Sequence, residues 1–184
     1  MRYLPDHRIA FIHNPKTAGT SISNWLDENF VTKRGRKHGH HLEVKEYFPD
    51  TVFTFAVVRN PWSRLASWYH YANHDKESFE DWIMSRLATS SMIGFRPAVL
   101  WARNWYSIDT PQADWVGDDI NLVLRFENLN EEFEQVKKLL HCNKNLCIVN
   151  ANPVYDYRTM YSDDLAELVR DIYIKDVIRY NYEF

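Results

Sequence analysis

Apolar positions fall into two rhythms along the chain, short near-continuous runs and stripes at helical spacing, and the two alternate. Arg8-Ile9-Ala10-Phe11-Ile12-His13 has the length and apolar density of a buried strand. After Ser21, Ile22, Trp25, Leu26 and Phe30 recur at the period of an amphipathic helix. Thr51–Val58 is β-branched and aromatic almost throughout, as expected of a strand covered on both faces. Asn60 and Pro61 then supply an N-cap and a first helical residue, and Leu65, Trp68, Tyr69 and Ala72 form the predicted inward stripe. Helices are predicted over Phe79–Leu87 and Pro97–Tyr106, and a strand over Ile120–Phe126. Asn128 caps a helix with Leu129, Phe133, Val136 and Leu140 on one face, and Leu146–Val149 reads as a last short strand. Ser162 caps the final predicted helix, with Leu165, Leu168, Val169 and Ile172 inward. Strands alternating with helices predict an α/β fold whose central, mainly parallel sheet binds ligands at the strand C-termini. No repeat or linker interrupts the pattern, so residues 1–184 read as one domain.

Composition narrows the classes. Hydrophobic residues make up 45% of the 184 and charged ones 26%, the balance of a globular protein with a substantial core. The net charge of −3 argues against nucleic acid as a partner and makes any attraction for anions local. No apolar run approaches membrane-spanning length, and Met1–Asp6 lacks the apolar core of a signal peptide. A cytoplasmic protein with no membrane partner is expected. Cys142 and Cys147 lack a second pair of zinc ligands, so idle thiols are expected, with a small loop disulfide as the alternative.

Chemistry concentrates where strands give way to helices. Between the first strand and its helix lies Asn14-Pro15-Lys16-Thr17-Ala18-Gly19-Thr20-Ser21. Unpaired N–H groups at a helix N-terminus and the positive end of its dipole make such a junction an anion site. Gly19 allows close approach of the backbone, Thr17, Thr20 and Ser21 offer hydroxyls, and Lys16 adds a mobile charge. Lys16 precedes the glycine, which is not the order of a nucleoside-triphosphate loop. The plain alternative is an ordinary strand–turn–helix. Arg59, at the tip of the second strand, and Ser67, further along the next helix, suit a phosphate monoester. His38, His40 and His41 offer a proton acceptor near neutral pH, a solvated basic loop, or ligands for a transition metal. Arg125 and Glu127 form either a structural ion pair or part of the site, with Glu127 as an alternative base. Trp101, Trp105, Tyr106 and Trp115 are assigned to the core ahead of sugar stacking.

Pro15-Lys16-Thr17-Ala18-Gly19-Thr20-Ser21 resembles the 5′-phosphosulfate loop of sulfotransferases that use 3′-phosphoadenosine 5′-phosphosulfate (PAPS). Val58 to Ser67 resembles their 3′-phosphate motif, with Arg59 and Ser67 in the matching positions. Val149–Pro153, Tyr157, Tyr161–Leu165 and Tyr180–Phe184 are similar to the C-terminal pattern of the carbohydrate group, which includes heparan sulfate 2-O-sulfotransferases. Arg158, beside Tyr157, joins the cofactor residues on this resemblance. The resemblance implies a P-loop-NTPase-like three-layer fold and PAPS as cofactor, released as adenosine 3′,5′-bisphosphate. It also implies a glycan acceptor, no required metal, Lys16 as catalytic cation and His40 or His41 as base. A P-loop kinase-like phosphotransferase and a non-catalytic nucleotide- or glycan-binding relative are the alternatives. Residues 74–119 match no part of the family pattern and are where acceptor recognition is expected.

Overall fold

In the computed structural model, a five-stranded sheet in the order β3-β1-β2-β4-β5 carries the strand ends singled out above. The structure describes residues 1–71, 77–91, 110–149 and 156–184, and for 87–91 the backbone alone. These fall into two compact units, Met1–Arg59 with Asp114–Ala151, and Asn60–Ala113 with Asn152–Phe184.

The first unit contains the sheet. β1 (Arg2–Leu4) and β2 (Ile9–Ile12) form an antiparallel hairpin, and β3 (Lys33–Arg34) adds an antiparallel edge to β1. β4 (Phe53–Val58) and β5 (Leu122–Arg125) extend the sheet in parallel, with Ile12 level with Ala56 and Val58 level with Arg125. α1 (Gly19–Asn29) follows β2, the short α2 (Val44–Tyr47) precedes β4, and α6 (Leu129–Leu139) follows β5 through a 3-10 turn over Phe126–Asn128. The expected α/β class, a central sheet flanked by helices, is what the chain adopts. Its parallel part is β2-β4-β5; the antiparallel hairpin edge was not anticipated.

One face of this sheet presents Ile9, Phe11, Phe55, Val57 and Leu124 to Ile22, Trp25 and Leu26 of α1 and to Leu129, Phe133 and Val136 of α6. Burying side chains of this size contributes roughly 1.5–3 kcal/mol each, which fixes both helices on the sheet and so fixes where their N-termini point. Leu146–Val149 is not a strand. Trp25 Nε1 donates to Lys144 O at 3.0 Å and Val149 N–H to Ser21 Oγ at 2.9 Å, so α1 takes up this segment's backbone instead of the sheet. Cys142 and Cys147 are free thiols.

The second unit is helical: α3 (Pro61–Tyr71), α4 (Phe79–Ser91), α7 (Asp163–Ile172) and α8 (Ile174–Tyr180), with a 3-10 turn over Tyr157–Met160. α4 runs past the predicted Leu87, and α7 is followed by a further helix. Two of the three predicted caps form: Asn60 Oδ1 accepts from Trp62 and Ser63 N–H, and Ser162 Oγ from Leu165 N–H, whereas Asn128 stands at the N-cap of α6 without a side-chain cap bond. The buried face of α3 differs from the predicted stripe. Trp62, Arg64, Leu65, Ala66 and Ser67 are inside, whereas Trp68 and Tyr69 are half-buried. Arg64, 2% exposed, is tolerated there because it donates to Thr110 O at 3.4 Å and feels the charge of buried Asp176. Asp176 in turn accepts from the N–H groups of Gln112 and Ala113 at 2.9 and 2.7 Å, at the start of α5 (Gln112–Val116). Ala72 and the predicted helix Pro97–Tyr106, with Trp101, Trp105 and Tyr106, lie outside the described residues. Among the described residues no helix is long and apolar enough to cross a membrane.

Candidate functional site

The loop from β2 to α1 is held from beneath. Asn14, fully buried, donates through Nδ2 to Val57 O at 3.0 Å, tying the loop to the end of β4. Thr17, also fully buried, returns its hydroxyl to Asn14 O at 2.9 Å. Between and beyond these anchors the backbone takes an uncommon course: Lys16 and Ala18 are left-handed, at φ 66 and 61, with Thr17 between them at negative φ. Left-handed backbone at a residue with a side chain costs about 1–2 kcal/mol, and such residues persist where the surroundings over-determine them. Left- and right-handed residues in succession are also the pattern of backbone anion nests.

α1 begins immediately after. Its N-cap is Ala18, which offers no side-chain cap, and its first turn contains no acidic residue. The first N–H groups of the helix and the positive end of its dipole are therefore not answered by the helix's own side chains. Thr20 is exposed there. Ser21 is 1% exposed, its oxygen engaged by Val149. Of the three hydroxyls expected to face an anion, those of Thr17 and Ser21 are thus occupied internally, and Thr20 is the exposed one. Pro15, within the loop, is buried. Gly19 has a steric duty of its own: a Cβ there would stand 2.0 Å from Cδ2 of His13.

Arg59 reaches this loop. β4 ends at Val58, and the Arg59 Nη1 donates to Lys16 O at 3.4 Å while its guanidinium lies 4.1 Å from the centre of the Phe126 ring. Two cations that the sequence separates by 43 positions are brought side by side at the strand tips. The electrostatics follow. Burial, and then the charge of Arg59, bring the Lys16 ammonium down to about 8. A bound anion favours the charged form of Lys16, so affinity for it is fully present below that value and declines above it. For a bisphosphate nucleotide the dissociation constant should rise about tenfold between pH 7 and pH 9, as measured by calorimetry. A flat profile over that range would show that Lys16 does not touch the anion.

The histidine loop approaches from the other side of β2. His38 Nδ1 donates to His13 O at 3.3 Å, and the two rings meet edge-on with centroids 4.5 Å apart. Burial lowers His13 well below its ordinary value and brings His38 to about 4, so both are neutral at pH 7. His40 and His41 differ sharply. His40 is 4% exposed and caps the 3-10 turn His41–Glu43: its Nδ1 accepts from Leu42 N–H, and its own N–H donates to Glu43 Oε2 at 2.7 Å. Glu43 is fixed in turn by Arg36 at 3.2 Å. Burial, with His41 adding to it, brings His40 to about 4. His41 is half-exposed, its ring seated on Gly117, which has φ 75 and where a Cβ would meet His41 Nδ1 at 2.1 Å. Trp115 is buried, its ring 6.2 Å from that of His40. Among the described residues no three His, Cys, Asp or Glu side chains are gathered as metal ligands.

Glu127 is exposed at the tip of β5, and the Arg125 N–H donates to Glu132 Oε2 at 2.6 Å. In the second unit Ser67 is 5% exposed on α3, one turn from Arg64. Arg158 is exposed, 3.5 Å from Asp156 and over the ring of Tyr157. Sequence reading passed over three residues that shape the site. Asn14 and His13 support the loop, and Phe126 carries Arg59; each adjoins a strand end, which was the available signal.

No protein-family model matches the chain, and no curated protein matches it in sequence. A crystal structure of a sulfotransferase from Alicyclobacillus acidocaldarius is similar over 94% of this chain and 83% of that one, at 14% identity and a TM-score of 0.43. Likeness of that degree leaves the functional reading to the residues themselves.

Proposed function

We propose that residues 1–184 act as one PAPS-dependent sulfotransferase domain that transfers a sulfuryl group to an acceptor hydroxyl of a carbohydrate. The observation that carries this reading is the meeting of Lys16 and Arg59 beside an uncapped helix N-terminus, on a loop with left-handed backbone at two non-glycine residues. Those residues suit a ligand with two separate phosphate groups, N–H groups and Lys16 for the 5′-phosphosulfate and Arg59 for the 3′-phosphate, to which Ser67 is assigned on the sequence resemblance. Arg158 is assigned to the same nucleotide on the sequence resemblance.

PAPS supplies, when bound, a sulfuryl group attached to a 5′-phosphate that leaves. Lys16 neutralises the charge that grows on the bridging oxygen, assisted by backbone N–H groups from Thr17 to Ser21. A histidine of the His38–His41 loop takes the acceptor's proton. Of His40 and His41, the latter is favoured, because it is only half-buried while His40 is buried and serves as a cap. The scheme requires no metal, since Lys16 and the helix N-terminus provide the positive charge. A kinase-like phosphotransferase would show magnesium-dependent transfer from ATP, and a non-catalytic relative would bind nucleotide without turnover.

The assignment of Arg59 is tested by comparing adenosine 3′,5′-bisphosphate with 5′-AMP. A charge-assisted contact contributes about 1.5–3 kcal/mol, so the bisphosphate should bind at least tenfold more tightly. Equal dissociation constants for the two nucleotides would remove the 3′-phosphate from Arg59.

A further inference from the structure

Arg59 extends past the last paired residue of β4, and its guanidinium needs something to rest on if it is to present its donors in a fixed direction. The adjoining strand ends provide that support. Val58, the last residue of β4, is level with Arg125, the last of β5, so Arg59 and Phe126 are the first residues beyond two neighbouring strand ends, Phe126 opening the 3-10 turn. The result is the 4.1 Å approach of the guanidinium to the Phe126 ring centre. Phe126 is itself well anchored. It is half-buried against the core cluster of α1, α6 and the sheet, and its carbonyl accepts from Leu129 N–H in the turn that opens α6. The ring thus holds the guanidinium from one side while Lys16 O accepts from its Nη1.

We infer that Phe126 is the positioning residue for Arg59, a fixed aromatic platform that aims the guanidinium beside Lys16 and thereby sets the protein's preference for nucleotides with a 3′-phosphate. This rests on the anion-site reading of Lys16 and Arg59. Without the ring, the long arginine side chain regains its rotamer freedom and its charge moves away from Lys16. The nucleotide's 5′ group, which Arg59 is not assigned to hold, should not register the change.

The test uses the whole protein and the variants Phe126→Leu, which keeps an apolar side chain against the core, and Phe126→Tyr, which keeps the ring. Dissociation constants for adenosine 3′,5′-bisphosphate and 5′-AMP are measured by calorimetry. Phe126→Leu should weaken the bisphosphate about threefold to thirtyfold, the range of a cation–π contact between exposed and desolvated sites, and leave 5′-AMP within about twofold. Phe126→Tyr should restore the preference, and in an Arg59→Ala background Phe126→Leu should have no further effect. Equal losses for both nucleotides, or full additivity with Arg59→Ala, would make Phe126 a packing residue only and overturn the inference. If the wild-type protein binds neither nucleotide, the anion-site reading itself fails, and acylation of Lys16 as a function of pH then decides on Phe126. Its midpoint should rise in Phe126→Leu, as Arg59 moves off, and stay unchanged in Phe126→Tyr. An unchanged midpoint in both variants would overturn the positioning role.

Discussion

Replacing Lys16 with alanine should lower sulfuryl-transfer turnover by about 10²–10³-fold while weakening adenosine 3′,5′-bisphosphate binding far less, because preorganised charge acts most where charge develops. Three features of the site make this the largest single effect. Lys16 is half-buried, so its charge acts in a medium that screens it less than water does. It stands beside Arg59, whose charge adds to burial in bringing it down to about 8, so an arriving negative charge relieves a repulsion as well as forming a contact. Its backbone is held left-handed by the loop, which fixes the origin of the side chain although the side chain itself is flexible. Arginine at this position should not restore turnover, since a planar fork cannot replace a compact ammonium at a single bridging oxygen. Kinetics of bound substrate beside calorimetry of the bisphosphate separate the two effects. Loss of binding with unchanged turnover of bound substrate would reduce Lys16 to an anchoring role.

The second large effect should divide the two neighbouring histidines. His41→Ala is expected to reduce turnover by about 10²-fold or more, the usual cost of losing a general base, with bisphosphate binding nearly unaltered. His40→Ala should act on the fold instead. It removes the acceptor for Leu42 N–H and one half of the reciprocal arrangement with Glu43, a loss of about 0.5–2 kcal/mol of stability for a cap. The physical reason for the division is burial: His40 is enclosed and held neutral down to about pH 4, whereas His41 rests on Gly117 and is half-exposed. Turnover and thermal melting of both variants decide the matter. A catalytic defect in His40→Ala with a normal His41→Ala would reverse the assignment. Normal turnover in both, with Glu127→Gln inactive, would transfer the base to the tip of β5.

How far the chain could be read in advance depended on whether a local pattern had room to declare itself. β2, β4, β5, α1 and α6 are long enough for their apolar spacing to be unambiguous, and the caps at Asn60 and Ser162 are single-residue signals with a fixed backbone consequence. The antiparallel edge was not legible because Arg2–Leu4 and Lys33–Arg34 are three and two residues long, too short to show a period. Leu146–Val149 has the composition of a strand, but side chains of α1 bind the backbone at Lys144, just before it, and at Val149, and no local pattern encodes that. The face of α3 was misjudged for a similar reason. An arginine inside a helix bundle is sensible only once Asp176, over a hundred residues away, is known to be buried near enough to offset its charge.

Within the site, the two cations were legible separately, since Lys16 and Arg59 each stand at the end of an apolar run. That both border one loop follows from the parallel pairing of β2 with β4. The hydroxyls were less legible: Thr17 and Ser21 look like ligand donors in the sequence, yet each is drawn into the support of its own loop. Likewise His40, equivalent to His41 by position, becomes a cap only because Glu43 follows three residues later, a capping signal built on an unusual first residue.

The most direct test of the central claim is to incubate the protein with PAPS labelled at sulfur and a panel of neutral and acidic oligosaccharides, following both the label and the nucleotide. The account predicts acceptor-dependent transfer of the label to a sugar hydroxyl, equimolar release of adenosine 3′,5′-bisphosphate, and loss of both in Lys16→Ala. Magnesium-dependent phosphate transfer from ATP with no reaction of PAPS, or tight bisphosphate binding with no transfer to any sugar, would contradict it.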